Sequence, residues 1–189
     1  GVDEHSIEAS YRAVEMGFVQ AILVGDRARI EKVCAEKGFE IGKFTIVDEP
    51  VELKAVSTAV AMVHDKAGDV LMKGLCSTDK FLRGILNKET GLLPPKGLLS
   101  HVGIVDNPNY HKLMFISDMA VVPAPEFRQK VAITKFLINT AHSFGIAMPK
   151  VAFIAASEQM MDTMPACVEG AMLSVMASRG QLGACIGDG

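Results

Sequence analysis

The sequence predicts an α/β protein, built on a mostly parallel sheet flanked by helices with one antiparallel hairpin embedded in it. Three observations lead there. Short apolar runs alternate with amphipathic stretches along the whole chain, the pattern of successive βα units. Two apolar runs, His101 to Val105 and Lys112 to Ile116, are joined only by Asp106 to His111. That link is too short for a parallel crossover, so it must return as a hairpin. Finally, 49% apolar and 22% charged residues in a 189-residue chain suit a globular protein that buries its own core.

The elements follow in order. Ser6 to Met16 reads as a helix, with Ile7, Tyr11 and Val14 on one face. Ala21 to Val24 is a buried strand, and Asp26 then caps a helix from Arg27 to Glu36 that Gly38 ends. Phe44 to Val47 is a second strand. Pro50 opens a helix whose apolar positions Leu53, Val56, Val60 and Val63 carry it to about Lys66. Asp69 to Met72 reads as a further strand and Thr78 to Leu86 as a helix. After the hairpin, Pro125 opens a long helix ending at Gly145. Lys150 to Ala155, Val168 to Ser178 and Ala184 to Ile186 then read as strand, helix and strand. The whole, residues 1–189, is expected to be one α/β region. Because it opens at Gly1 without a methionine, a fragment is expected.

Composition narrows the function. The formal net charge is -3, with basic and acidic residues interleaved, so the basic face that nucleic acid requires is not expected. No apolar run reaches the roughly 18 residues of a membrane span. The four cysteines are dispersed, without a C-x-x-C pair, so neither a metal site nor a disulfide framework is expected. Free thiols point to a reducing, cytoplasmic setting.

The segment Met72 to Arg83 carries the chemistry. It leaves a strand-like run through Lys73-Gly74 and enters a helix, the place where open α/β sheets bind ligands. Gly74 allows close backbone approach. Ser77 or Thr78 would cap the helix, whose first amides attract phosphate, and Lys73 and Arg83 add positive charge. The alternative is an ordinary capped helix with solvated Lys and Arg. The segment is no Walker A loop, and no Gly-x-Gly-x-x-Gly follows a strand. Elsewhere, Ser100-His101 at a strand start could donate hydrogen bonds to a ligand, or His101 could be a capped, hydrogen-bonded residue at a sheet edge. Asp118 could orient a ligand-binding group or cap a turn. Arg128 and Lys130 read as a solvated face and Glu158 as a minor candidate. Cys76, without a nearby histidine, is not read as a nucleophile.

Taken together, Lys73-Gly74, Ser77-Thr78, Phe81-Leu82-Arg83, Asn87-Lys88-Glu89-Thr90-Gly91-Leu92 and Ser100-His101-Val102 closely resemble the phosphate acetyl/butyryltransferase family, its butyryl branch above all. Ser117-Asp118, Pro125-Glu126 with Lys130, Met164-Pro165, Arg179-Gly180-Gln181 and Asp188-Gly189 continue the match in order. The resemblance implies acyl exchange between coenzyme A and inorganic phosphate. It also implies a fold similar to the isocitrate and isopropylmalate dehydrogenases, and a homodimer or larger homo-oligomer. Acyl-CoA is then a substrate and no separate cofactor or metal is implied. By this resemblance Lys73, Gly74, Ser77, Thr78, Arg83, Ser100, His101, Asp118, Met164, Pro165 and Asp188 belong to the substrate, phosphate and CoA crevice. The family's late catalytic residues would lie beyond Gly189, so the catalytic set is unknown. Two departures stand out: a longer Leu93-Pro94-Pro95-Lys96-Gly97 loop, and Met161-Asp162-Thr163 and Ala166-Cys167 around Met164-Pro165.

Overall fold

Local signals set most of the helices in the computed structural model, which describes residues 2–189. The chain divides into two compact units, Gly1–Gly97 and Leu98–Gly189. In the first, Asp3 caps α1 (Glu4–Glu15) by accepting from the Ser6 N–H at 2.9 Å. Asp26 does the same for α2 (Arg27–Lys37) through the Arg29 N–H, and Gly38 ends that helix in the left-handed region at φ 70°. Strands β1 (Ala21–Gly25) and β2 (Phe44–Asp48) flank α2 and pair in parallel, Ala21 against Phe44 through Gly25 against Asp48. A short 3-10 turn, Ile41–Lys43, leads into β2 and has no counterpart in the sequence reading. Ile7, Leu23, Ile30, Cys34 and Phe44 form the core, and Tyr11 stacks on Phe39 with ring centroids 4.5 Å apart. Helices α3 (Glu52–His64) and α4 (Thr78–Ile85) complete the unit. They pack closely because Gly84 lacks a side chain: a Cβ there would sit 2.9 Å from Val56 Cγ1.

In the second unit, β3 (Gly103–Val105) and β4 (Met114–Ile116) form the expected antiparallel hairpin, Gly103 opposite Ile116. Helix α5 (Phe127–Ser143) starts with a capping box made by Glu126 and Gln129. Phe115 of β4 meets Phe144, just past that helix, edge to face at 5.4 Å. Strands β5 (Lys150–Ala152) and β6 (Ile186–Asp188) pair in parallel across α6 (Pro165–Ser178). Ile138, Val151, Leu173, Ala177, Leu182 and Cys185 are their common core.

Three expectations need correction. Among the described residues the strands form three separate pairs, two parallel and one antiparallel, in place of one mostly parallel sheet. Among the described residues, Asp69 to Met72 forms no strand and has no strand partner; Val70 is 84% exposed and Met72 57%. Val70, Leu71 and Met72 are apolar, but pairing needs a free edge alongside, which local pattern does not encode. In the last third, α6 begins at Pro165, three residues before Val168, because proline suits the first helical turn. β5 stops at Ala152, and β6 falls two residues later than Ala184 to Ile186.

Candidate functional site

The expected ligand segment lies in the first unit, between α3 and α4. Residues 70–74 have no regular secondary structure and Gly74 is half-buried. Ser77 is the N-cap of α4, and its Oγ accepts the Lys80 N–H at 3.3 Å. Thr78 is the first helical residue and is exposed. Lys73 Nζ reaches only the neighbouring Gly74 carbonyl at 3.3 Å. Arg83 bonds Asp79 one turn back, Nε to Oδ1 at 3.2 Å, on the exposed face. Lys80 pairs with Glu52 of α3 at 2.7 Å. The resulting feature is a helix N-terminus, which attracts anions, with Lys73 four positions before its cap, Asp79 in its first turn and Arg83 in its last. Cys76 is half-buried, and no histidine bonds to it among the described residues.

One tie holds that segment, and it is not apparent from the sequence. Asp3 uses Oδ1 to cap α1 and Oδ2 to accept the Leu75 N–H at 3.1 Å. Partial burial pushes the Asp3 carboxyl up, but the Ser6 and Leu75 donors outweigh it and leave it below its ordinary value. The cap is foreshadowed by Asp3 lying three residues before Ser6. The bond to Leu75 spans 72 positions and leaves no local trace.

In the second unit the structure gathers Ser100, His101 and Asp118 into one node. Continuing the β3–β4 register outward from Gly103 and Ile116 sets His101 opposite Asp118. Asp118 Oδ2 accepts from Ser100 Oγ at 2.9 Å and from the His101 N–H at 3.3 Å. Its Oδ1 accepts the Ala120 and Val121 N–H groups at 2.8 and 2.9 Å. Ser117 Oγ donates to the His101 carbonyl at 2.6 Å, and the Ser117–Asp118 peptide is cis. Burial pushes the Asp118 carboxyl up, but the four donors overcome it and hold it at about 2. Asp118 is therefore a fixed anion at neutral pH, with its proton affinity spent on local bonds. The His101 imidazole differs: its Nδ1 is buried and has no hydrogen-bond partner among the described residues.

The remaining candidates are more dispersed within that unit. Met164 is the residue before α6, and its Sδ lies 3.3 Å from Cys167 Sγ; Pro165 opens the helix and is exposed. Asp188 ends β6, exposed, with its carbonyl accepting the Phe153 N–H at 2.9 Å. Glu158 and Arg128 are exposed. Lys130, read from sequence as solvated, forms a half-buried ion pair with Glu169 of α6. The spacing along α5 gave its face but could not supply a partner 39 positions away. Among the described residues no group of three His, Cys, Asp or Glu side chains is arranged to hold a metal, and no helix is long and apolar enough to cross a membrane.

Known proteins resemble this chain. The family model described as phosphate acetyl/butaryl transferase matches residues 44–188. A phosphate butyryltransferase from Clostridium acetobutylicum is 40% identical over 187 residues, which is 99% of this chain and 62% of that protein. A phosphate acetyltransferase from Rhizobium meliloti is 34% identical over 180 residues, 95% of this chain and 57% of that protein. The chain thus spans about three fifths of the length of the curated relatives it matches. The solved structure of a branched-chain phosphotransacylase from Enterococcus faecalis V583 covers all of this chain with 65% of its own length, at a TM-score of 0.81 and 23% identity. At that identity the likeness is one of fold.

Proposed function

The chain belongs to the phosphate acetyl/butaryl transferase family, and we propose that the whole protein exchanges an acyl group, butyryl by preference, between coenzyme A and inorganic phosphate. A phosphate oxygen attacks the thioester carbonyl carbon to form a tetrahedral intermediate. The carbon–sulfur bond then breaks, leaving acyl phosphate, and the departing thiolate takes up a proton as free coenzyme A. Most of the rate advantage comes from holding the two reactants together and stabilising the oxyanion, work that fixed donors can do.

The node around Asp118 is the observation that carries this reading. A carboxylate saturated by four donors is a poor base and a good scaffold, and here it fixes Ser100 and the backbone of His101. The Nδ1 of His101 is buried without a partner among the described residues, so a phosphate or acyl oxygen would bond it only where substrate binding opens the node. In the same proposal the α4 N-terminus, with Gly74, Ser77, Thr78, Lys73 and Arg83, attracts the phosphate groups of the substrates. Met164, Pro165 and Asp188 are assigned to the substrate side on the family pattern alone. We assign no covalent nucleophile.

The test is release of free thiol from acetyl-, butyryl- and isobutyryl-CoA by the full-length protein, with and without phosphate. Phosphate-dependent release, fastest with butyryl-CoA, is expected. Faster release from acetyl- or isobutyryl-CoA would revise the acyl preference. Absence of turnover with every thioester would leave a coenzyme A-binding module as the better description.

A further inference from the structure

Four helices of this chain end in the same way. Just past α1, α2, α5 and α6 the backbone turns left-handed on a glycine: Gly17 at φ 77°, Gly38 at 70°, Gly145 at 80° and Gly180 at 70°. Glycine is favoured there because any Cβ crowds the next carbonyl. Helix α3 makes the same turn, with the Lys66 N–H on the Val63 carbonyl and the Ala67 N–H on that of Met62. It does so on Lys66, at φ 64°. Lys66 thus holds a conformation that four other helix ends give to glycine, and Lys96, in the loop after α4, is the other non-glycine residue with a positive φ among the described residues.

Lys66, which is exposed, is among the residues that line a groove of about 480 Å3 within the first unit. Val63, Leu92, Leu93 and Pro94 supply its apolar surface, and Lys88 enters the lining from the loop after α4. Neither Lys66 nor Lys88 has an ion-pair partner among the described residues. The wall that carries Lys88 is preformed. Asn87 Oδ1 accepts the Glu89 and Thr90 N–H groups at 2.9 and 3.0 Å, and the Leu92 N–H bonds the Ile85 carbonyl at 2.9 Å. Gly91 is enclosed so tightly that a Cβ would lie 2.3 Å from two carbonyl oxygens. His64 and the Glu89 carboxylate also line the groove, the latter an acceptor for hydroxyl or amino donors.

Two lysines, an apolar floor and one acceptor select an anion with a flat apolar body and hydrogen-bond donors. We propose that this groove binds a nucleotide, with Lys66 and Lys88 on its phosphate and the base over Val63, Leu92 and Leu93. Such a phosphate could belong to the nucleotide end of a coenzyme A thioester or to a free nucleotide.

Calorimetric titration of the full-length protein with AMP, adenosine 3′,5′-bisphosphate and adenosine tests this. Both nucleotides are expected to bind, and adenosine at least about tenfold more weakly, as expected when a charge-assisted contact is lost. Lys66→Gly restores the chain's own helix ending, so it should fold with an unchanged circular dichroism spectrum and lose about tenfold in nucleotide affinity. Lys88→Gln should lose a similar factor. Abolition of nucleotide binding by saturating coenzyme A would identify the substrate's own nucleotide end as the occupant, and persistence a separate nucleotide. Wild-type affinity in both variants, adenosine binding as tightly as the nucleotides, or no binding at all would overturn the assignment. Any of these leaves phosphate-dependent thiol release untouched, so the two readings fail separately.

Discussion

Two loops carry the proposed chemistry, and they are held in opposite ways. The segment before α4 is anchored by one remote hydrogen bond, from the Leu75 N–H to Asp3, and leaves Leu75 itself 83% exposed. The Ser100 to Val121 region is closed around a single carboxylate that takes four donors across a hairpin. A segment with one anchor can adjust to ligand, whereas a saturated node is preorganised before any ligand arrives. Under the proposed function, the first would capture phosphate adaptably and the second would fix orientation.

The strongest way to break that contrast is Asp118→Ala. It strands the Ser100 hydroxyl and three backbone N–H groups, so a loss on the order of 2–3 kcal/mol in urea unfolding is expected. Thiol release by the full-length protein should fall about 100-fold with KM little changed, as expected for lost orientation. A large rise in KM with kcat intact would instead make Asp118 a ligand-binding group.

Acid offers the next test. Asp118 is held at about 2 against an ordinary 3.8, so its contribution is fully present above pH 4 and is lost as pH falls through 2. The contribution is on the order of 1–2 kcal/mol once solvent screening of a half-buried group is allowed for. Asp3, also lowered, titrates in the same direction. Urea midpoints should be flat from neutral pH to about pH 5 and then decline. Asp118→Asn should remove part of the decline.

A smaller effect is expected at Asp3. Asp3→Ala removes a helix cap worth about 1 kcal/mol and frees the Leu75 amide. KM for phosphate or coenzyme A should rise several-fold while kcat is kept. Asp3→Asn, which retains the cap, should recover part of the loss. The smallest stability change belongs to Arg83→Gln. Its exposed pair with Asp79 is worth under about 0.5 kcal/mol, so any rise in KM reports ligand contact alone.

Much of this architecture was legible in local chemistry. Asp26, Gly38 and Ser77 act as caps because capping depends on residues within one turn. The 103–116 hairpin followed from a link too short for anything else. The node at Asp118 was half legible, since Ser100, His101 and Asp118 were each candidates while their meeting needed the strand register. Lys130 was misread because a helical period gives a face and says nothing of what opposes it.

The sequence by itself determined which stretches become helix and which become hairpin, and several helix ends, because those choices are settled by neighbours a few residues apart; α1 and α6 begin earlier than local pattern placed them. Only the tertiary structure decided which strands pair, that residues 69–72 pair with none, that Asp3 holds Leu75, and that Lys66 and Lys88 line one groove. Pairing and burial join residues tens of positions apart, so their energy depends on how the chain closes on itself, and no local pattern records it.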